Sequence, residues 1–421
     1  MHVLVLGAGV TGVTTAWYLA RAGFDVSVVD RQPAAALETS HANGGQISIS
    51  HPEPWANPGA PLTALRWMGR ADAPLLFRPH ADRAQWSWAA AFLRECLPGR
   101  TQRNTTAIAR LAVHSGACLR ALREETGIAY DQLRRGILHL FFTPAEFAHG
   151  RDRVPHLNAL GIAARACSAD ECLAIEPALA TLRPSLAGGL YAPDDESGDA
   201  CRFTQGLAER AAAAGVRFHF DTTISEIKAT AGRIDGITVH DPAGRTGMLT
   251  ASAYVVCLGS YGRQLVAPLG EHLPIYPVKG YSMTVPVIDP QRAPTVSLTD
   301  ESRRIVCSRL GDRLRVAGTA ELNGYDTAIN SARCGAILDW LQTRFPGATD
   351  PTRATPWAGL RPATPGNVPL IGRSRLLNLW YNTGHGTLGW TLACGSADAL
   401  ARLMAGQPAP VKDFPFLRGP R

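Results

Sequence analysis

The chain has 421 residues, of which 46% are hydrophobic and 18% charged, a composition typical of a globular protein large enough for two cores. Its net charge of +7 comes almost wholly from arginine, because only three lysines occur, and the arginines form no long basic run. The charge therefore does not predict nucleic-acid binding, although it is compatible with a mild attraction to anionic lipid surfaces.

The same composition argues against membrane spans, export and metal binding. No apolar run reaches the roughly 18–20 residues that cross a membrane, and no charged leader or cleavage site is visible, so we expect a cytoplasmic protein. The nine cysteines are scattered, odd in number and without a C-x-x-C pair. This pattern predicts buried, reduced thiols, with neither a disulfide framework nor a metal site.

The first thirty residues carry the clearest pattern in the chain. A buried strand is predicted at Val3–Leu6, and Gly7, Gly9 and Gly12 follow it with G-x-G-x-x-G spacing. A helix then runs to about Ala22, a second strand spans Val26–Val29, and the acidic residue Asp30 follows that strand. Tight turning at Gly7, close backbone approach at Gly9 and helix–strand packing at Gly12 are what a pyrophosphate-binding βαβ unit requires. The pattern predicts a dinucleotide site with Asp30 on a ribose, without distinguishing NAD from FAD.

The middle of the chain predicts two interleaved domains. A glycine-rich stretch (residues 38–50) is followed by a loop-rich region with many tryptophans and prolines. The next predicted elements are a helix at 105–125 and strands at 136–142 and 187–191. A helix at 203–214, a strand at 216–220, a hairpin at 224–239 and a strand at 253–258 come after them. Because Gly259 ends the last of these strands, it marks a ligand crevice. Residues 275–345 predict a second sheet with a closing helix.

These elements predict an α/β protein in which a Rossmann-like dinucleotide-binding domain, which the motifs below assign to FAD, is interleaved with a mixed-sheet α+β substrate domain. We assign residues 1–80, 195–268 and 350–421 to the first domain, and residues 81–194 and 269–349 to the second.

The segment NTGHGTLGW at Asn382–Trp390 precedes a helix that runs to about Met404. A helix N-terminus stabilises the negative charge that reduced flavin carries near N1. An ordinary strand–turn–helix connection is the alternative for this segment alone, but its combination with the N-terminal βαβ unit favours flavin. An NAD-dependent dehydrogenase would leave this helix start without a role.

Two further segments contain candidate substrate residues. Arg361, in GLRPATPG at Gly359–Gly366, lies beside a proline, and its planar fork can bind a carboxylate through two bonds. Tyr281, in YPVKGYS at Tyr276–Ser282, lies on a predicted strand. The alternatives are a surface arginine and a tyrosine packed in the core.

Five segments together resemble the small-subunit family of bacterial D-amino acid dehydrogenases, in the D-amino acid oxidase and glycine oxidase superfamily. They are ETSHANGGQIS at Glu38–Ser48, PWANPGAPL at Pro54–Leu62, YPVKGYS, GLRPATPG and NTGHGTLGWTLACGS at Asn382–Ser396. The resemblance covers nearly the whole chain. His41 and Gly45 depart from the family pattern in a loop that bears on substrate preference, and Gly366-Asn367 departs from it in a turn.

The resemblance implies a non-covalent FAD along the first sheet. The implied cofactor-binding residues are Val3, Leu6, Gly7, Ala8, Gly9, Val10, Thr11 and Gly12 near the pyrophosphate, Asp30 and Arg31 at the ribose, Ser40, Asn43, Gly44, Gly45, Gln46 and Ile47 near the ring and pyrophosphate, Gly259, and Gly384, Gly386, Thr387 and Leu388 at the pyrimidine end. Arg361 matches the family arginine that holds the substrate carboxylate. Tyr281 and His385 are carried over as further catalytic residues.

The implied reaction is oxidative deamination of D-amino acids to 2-oxo acids and ammonia, as in D-alanine catabolism, by hydride transfer from Cα to flavin N5. Electrons would pass to a quinone-type acceptor. Alternatives are an oxidase, or a dehydrogenase of a secondary or simple amino acid such as D-proline, hydroxyproline, glycine or sarcosine. A flavin-binding scaffold without catalysis is the non-enzyme alternative.

The acceptor raises the question of membrane contact. The loop-rich region contains an apolar stretch made up of Trp55, Trp67, Met68, Leu75, Leu76, Phe77, Trp86, Trp88 and Phe92. This stretch predicts either peripheral docking on the cytoplasmic face of the inner membrane, or a helical lid or part of the core.

Overall fold

The computed structural model describes residues 1–67 and 73–419. Within these ranges the α-helices are α1 Val10–Arg21, α2 Ala60–Trp67, α3 Arg83–Glu95, α4 Pro98–Thr126, α5 Pro144–Ala159, α6 Ala169–Ile175, α7 Ala200–Ala213, α8 Gly262–Val266, α9 Ser331–Arg344 and α10 Gly389–Met404. The strands are β1 His2–Leu6, β2 Asp25–Val29, β3 Gln46–Ile47, β4 Leu75–Phe77, β5 Ile137–Phe141, β6 Arg165–Cys167, β7 Gly188–Ala192, β8 Glu196–Ser197, β9 Arg217–His219, β10 Thr223–Thr230, β11 Arg233–His240, β12 Thr246–Leu249, β13 Ala253–Val256, β14 Tyr276–Pro286, β15 Ser297–Asp300, β16 Ile305–Leu310, β17 Arg313–Leu322, β18 Thr355–Ala363, β19 Leu370–Arg373 and β20 Leu379–Thr383.

The first sheet has the strand order β19-β20-β13-β1-β2-β9, and β1 pairs in parallel with both β2 and β13. Alternate residues of β1 enter two different cores. Val3 and Val5 pack with residues of α1, α4, α7 and α10, whereas Leu4 and Leu6 pack towards the three-stranded sheet β10-β11-β12. A strand buried on both faces explains the continuous apolar run in the sequence.

The second sheet is mixed and has the order β18-β14-β17-β16-β15-β5-β7-β6, with β4 also pairing with β17. One of its faces packs against α9 through residues such as Ile337 and Leu341, which share a buried cluster with Val285 and Val316. The predicted fold class, a Rossmann-like unit with a second mixed-sheet unit, is confirmed. The domain limits drawn from the sequence stay a prediction.

The region after Ser50 differs from its prediction as loop-rich, because it contains α2 and α3. Asp82 caps α3 by accepting a bond from the Ala84 amide at 2.8 Å. Helix α4 also begins earlier than predicted, at Pro98, where a proline suits the first helical turn. Frequent prolines and tryptophans obscured short helices whose apolar faces are only partly buried.

No helix in the described part of the chain is both long and apolar enough to cross a membrane.

Candidate functional site

A cavity of about 370 Å³ opens where four strands of the first sheet end. Gly7 follows β1, Asp30 follows β2, Cys257 follows β13 and Gly384 follows β20, and all four residues line the cavity. Ligands in open α/β sheets bind at this carboxyl edge. The topology therefore brings the two glycine-rich ends of the chain to one cavity.

Each of the three N-terminal glycines meets a different structural requirement. Gly7 has φ +104°, a conformation that side chains disfavour. A Cβ on Gly12 would lie 1.9 Å from the Gly7 carbonyl oxygen, so this residue packs the helix against the turn. A Cβ on Gly9 would meet only the Ser40 hydroxyl, at 3.5 Å, so space on this side of the turn is left for a ligand.

The carboxylate of Asp30 closes one end of the cavity. It accepts bonds from the amides of Ala8 at 2.6 Å and Gln32 at 2.8 Å, and burial raises its pKa. The neighbouring Arg31 lies over the ring of Tyr261, 4.1 Å from its centroid, and bonds to Glu38 at 2.5 Å. This end of the cavity thus combines an acid, an aromatic ring and a guanidinium.

The glycine-rich loop at residues 41–47 lies against the second sheet. Side chains of the sheet hold its carbonyl groups: Ser282 donates to Ala42 at 2.6 Å, Arg315 to Asn43 at 3.1 Å and Ser308 to Gly44 at 2.8 Å. A Cβ on Gly44 would lie 2.6 Å from Val306 Cγ2. The loop therefore joins the first sheet's cavity to one face of the second sheet.

Arg361 projects from β18 onto the adjacent strand β14. A Cβ on Gly280 would lie 2.2 Å from the guanidinium carbon, so the guanidinium rests directly on that glycine. Its one hydrogen bond among the described residues goes from Nη1 to the Thr319 carbonyl at 3.0 Å. Burial lowers the pKa of Arg361 to about 10, and no carboxylate of the described residues pairs with it.

Thr319, which accepts that bond, has a strained backbone. Its φ is +58°, a genuine outlier for a β-branched residue, and it lies at the irregularity in the pairing of β14 and β17. Its hydroxyl is buried without a hydrogen-bond partner in the described ranges. Strain of this kind is typical of functional sites, and the sequence offered no signal for it.

A family model described as FAD dependent oxidoreductase (DAO) matches residues 2–403 of this chain. The chain belongs to the FAD-dependent oxidoreductase family. It is 54% identical to a D-amino acid dehydrogenase of Dechloromonas aromatica (strain RCB) over 418 residues, which cover 99% of this chain and 100% of the relative. The resemblance predicted from sequence motifs is thereby confirmed.

Two solved structures share the fold of this oxidoreductase. A glycine oxidase from Geobacillus kaustophilus superposes with a TM-score of 0.71 at 21% identity, covering 100% of this chain and 99% of that one. An L-proline dehydrogenase from P.horikoshii superposes with a TM-score of 0.73 at 17% identity, covering 98% and 96%. At these identities the likeness establishes the fold alone.

FAD is the cofactor of the family, and the cavity residues of this oxidoreductase fit it. Helix α1 begins after Gly9, which has no side chain to cap it, and its Val10 amide donates to the Ser40 hydroxyl at 3.1 Å. Gly9, Val10 and Thr11 line the cavity, and a helix start attracts phosphate. Helix α10 starts without a side-chain cap from its N-cap residue, and its first residue, Gly389, lines the cavity. Two helix N-termini at one cavity suit a ligand with a pyrophosphate and an anion-forming ring.

The cavity contains only part of the predicted cofactor set. Its lining includes Gly7, Gly9, Val10, Thr11, Asp30, Arg31, Ser40, Gly259, Gly384 and Gly386. The remaining predicted residues do not line it, namely Val3, Leu6, Ala8, Gly12, Asn43, Gly44, Gly45, Gln46, Ile47, Thr387 and Leu388. Sequence reasoning missed Tyr261 and the stretch Thr222–Ser225, which line the Asp30 end and carried no recognisable motif.

The other two predicted catalytic residues lie in different surroundings from Arg361. His385 lines the cavity, but it is buried, its Nε2 lies 3.0 Å from the Ser396 hydroxyl, and burial lowers its pKa to about 3. Tyr281 follows Gly280 and so projects to the opposite face of β14. There its hydroxyl donates to Glu321 at 2.6 Å, and burial raises its pKa. The structure does not bring Tyr281 and Arg361 together.

Proposed function

We propose that this oxidoreductase deaminates D-amino acids: the amino acid and water give a 2-oxo acid and ammonia, and two electrons pass to an acceptor. The observation that carries the proposal is the partly buried guanidinium of Arg361, which lacks a carboxylate partner among the described residues. A cation that is partly removed from water and unpaired is costly, and a substrate carboxylate would compensate it. The D-amino acid dehydrogenase that shares 54% of its residues with this chain supports the substrate class.

Bound FAD would supply the hydride acceptor at N5, and the predicted residues that line the cavity, from Gly7 and Asp30 to Gly384, would hold it non-covalently. The protein's own task is then orientation, with Arg361 fixing the substrate carboxylate. His385 is uncharged at neutral pH because burial lowers its pKa to about 3, so it is not a proton donor in the resting site. We infer that the substrate ammonium loses its proton to water and that no side chain acts as an obligatory general base.

Anaerobic addition of substrate to the purified flavoprotein tests the function. D-Alanine should bleach the flavin absorbance, and L-alanine should not. Faster bleaching by D-proline, glycine or sarcosine would support the alternative left open by the sequence, oxidation of a secondary or simple amino acid. An unchanged spectrum with every amino acid would leave only a flavin-binding scaffold.

The electron acceptor is proposed to be a quinone, following the dehydrogenase resemblance. Turnover with D-alanine should reduce a quinone analogue coupled to a dye much faster than it forms hydrogen peroxide in air. Peroxide formation at the rate of substrate loss would instead identify an oxidase.

We propose that membrane contact involves α2, which shares only Trp67 with the apolar stretch predicted from the sequence. None of the residues of α2 is buried, and Leu62 and Leu65 are 56% and 60% exposed beside the exposed Arg66. In the predicted stretch, Trp88 is buried, Trp55, Leu75, Phe77 and Phe92 pack against its cluster, and only Trp86 is strongly exposed. Met68 lies outside the described residues.

Vesicle co-sedimentation tests this contact. The Leu62→Ser/Leu65→Ser variant should bind anionic vesicles less than the parent protein, because apolar side chains beside arginine favour the interface. Leu377→Ser, which changes a leucine that is 50% exposed elsewhere on the surface, is the matched control. Equal partitioning of all three proteins would remove α2 as a membrane contact.

Gly280 provides a test of how Arg361 is held. In Gly280→Ala the new Cβ would lie 2.2 Å from the Arg361 guanidinium carbon, so the guanidinium must move off β14. We expect the KM for D-alanine to rise about 10-fold or more, with flavin content unchanged, since a displaced cation loses a charge-assisted bond. Steady-state kinetics with a dye acceptor measures this.

Gly247→Ala is the control for adding a methyl group to a strand glycine, because its Cβ would meet only Val239 Cγ2 at 3.7 Å. A KM in Gly280→Ala equal to that of this control would mean that the position of the guanidinium does not matter.

A further inference from the structure

A cluster of three ligand-type side chains lies outside the cavity, where α4 and α10 cross. His114 and Cys118 occupy successive turns of α4, and Asp398 belongs to α10. The His114 Nε2 is 2.9 Å from the Asp398 Oδ2 and 3.4 Å from the Cys118 Sγ. The sequence predicted no metal site, because Asp398 is 284 residues away from His114 in the chain.

The helix crossing fixes the positions of the three side chains. The amide of Gly395 donates to the Ser115 hydroxyl at 3.0 Å, and a Cβ on Gly395 would lie 2.7 Å from Ser115 atoms. Ser115 is adjacent to His114, and Gly395 is three residues before Asp398. The cluster therefore lies on two helices in backbone-level contact, which is a rigid support for a binding site.

The distances suit tetrahedral coordination. With metal–sulfur and metal–nitrogen bonds of about 2.3 and 2.0 Å in a zinc site, tetrahedral angles separate sulfur from nitrogen by about 3.5 Å and nitrogen from oxygen by about 3.3 Å. The observed 3.4 and 2.9 Å need to open by only a few tenths of an ångström. Two ligands one helical turn apart are a common chelating arrangement.

One basic side chain, Arg402, lies beside the carboxylate of this cluster. Arg402 Nε bonds both carboxylate oxygens of Asp398, at 3.2 Å to Oδ1 and 3.0 Å to Oδ2. A metal on Oδ2 would leave Oδ1 for Arg402, which would then orient the ligand from outside. All three ligand residues are partly exposed, which gives an ion and a completing water access to the site.

A second cluster, His51, His139 and Glu301, fits a metal less well. It has no thiol, and two arginines contact its carboxylate, Arg304 at 2.6 Å and Arg153 at 3.6 Å, whereas among the described residues Asp398 contacts one, Arg402. At the first cluster, the contact between His114 and Asp398 and the one-turn spacing of His114 and Cys118 bring three different donor atoms to one point.

We propose that His114, Cys118 and Asp398 form a binding site for a thiophilic divalent transition-metal ion, of which Zn²⁺ is the representative. Nitrogen, sulfur and oxygen donors in a four-coordinate site favour zinc over magnesium or calcium. Such an ion would bridge α4 and α10 at Asp398, nine residues along α10 from Gly389, which lines the cavity.

Zinc titration of the FAD-loaded, chelator-treated protein under reducing conditions tests the site. We expect one Zn²⁺ per chain with a Kd at or below micromolar, no comparable response to Mg²⁺, and a thiolate-to-metal charge-transfer band when Co²⁺ replaces Zn²⁺. His114→Gln and Cys118→Ser should each weaken zinc binding about 100-fold or more, and Cys118→Ser should abolish the Co²⁺ band.

His149→Gln, which removes an exposed histidine of α5, is the matched control and should bind zinc like the parent protein. Flavin content and the far-ultraviolet spectrum of each variant verify that it is folded. Absence of a stoichiometric site in the parent protein overturns the proposal. So does zinc binding that survives in both His114→Gln and Cys118→Ser.

Discussion

Replacing Arg361 with alanine should raise the KM for D-alanine by about 100-fold or more and leave FAD content unchanged. The guanidinium is partly buried, bonds only the Thr319 carbonyl and has no carboxylate partner in the described ranges, so its charge is free for the substrate. Truncating one partner of a buried, hydrogen-bonded charge pair costs about 2–5 kcal/mol, which corresponds to roughly 30-fold to several thousand-fold in affinity. Steady-state kinetics with a dye acceptor, and the flavin spectrum, measure both parts.

Comparing an amino acid with its amide distinguishes loss of the carboxylate-binding guanidinium from a general loss of activity. D-Alaninamide lacks the carboxylate, so the parent protein should discriminate strongly against it, whereas Arg361→Ala should treat the acid and the amide nearly alike. Arg361→Lys should recover only part of the loss, because lysine keeps the charge but not the planar two-bond fork. If Arg361→Ala retains the parent preference for the acid over the amide, another group holds the carboxylate.

The sequence predicted the first sheet well because its signals are local. The apolar run of β1 is formed by consecutive residues. The positive φ of Gly7, and the 1.9 Å distance from a Cβ on Gly12 to the Gly7 carbonyl oxygen, likewise involve residues that are close in the chain. Arg361 was also accessible to sequence reasoning, through the motif around it. Each of these features needs no knowledge of what lies across the fold.

Features that depend on distant strands were not predictable in the same way. Thr319 is strained because β14 and β17 slip in register, and Tyr281 faces Glu321 because alternate residues of β14 face opposite sides. Neither fact is visible until strand pairing is known. The same reason hides the His114 cluster, which exists only because α4 crosses α10 at Gly395.

The apolar stretch after Ser50 shows a third kind of limit. Composition alone could not separate a docking surface from a core, because the same tryptophans serve both. The structure divides them: the Trp88 indole donates to the Ala363 carbonyl at 2.8 Å inside a buried cluster, whereas Trp86 is 52% exposed. Burial of each side chain, rather than the hydrophobicity of the segment, decides which residues remain candidates for a membrane.

Substituting Gly9 with alanine should give a folded protein that has lost most of its FAD. Gly9 has φ −69° and ψ 178°, which alanine adopts freely, and its Cβ would meet only the Ser40 hydroxyl at 3.5 Å. The methyl group would, however, stand in the cavity beside the start of α1, where a phosphate must approach the backbone. We expect the Kd for FAD to rise about 30-fold or more, equivalent to about 2 kcal/mol.

Alanine substitutions at two further glycines serve as comparisons for Gly9→Ala. FAD titration measures the cofactor affinity of each variant, and thermal unfolding measures its stability. Gly12→Ala should damage folding itself, because its Cβ would lie 1.9 Å from the Gly7 carbonyl oxygen, a rigid backbone atom. Gly99→Ala, on α4 with nothing within 4 Å of the new Cβ, should change neither property. The three outcomes separate cofactor access, packing and background. A Gly9→Ala protein with the parent's FAD affinity would mean that the pyrophosphate does not approach the chain at this turn, although the cavity is there.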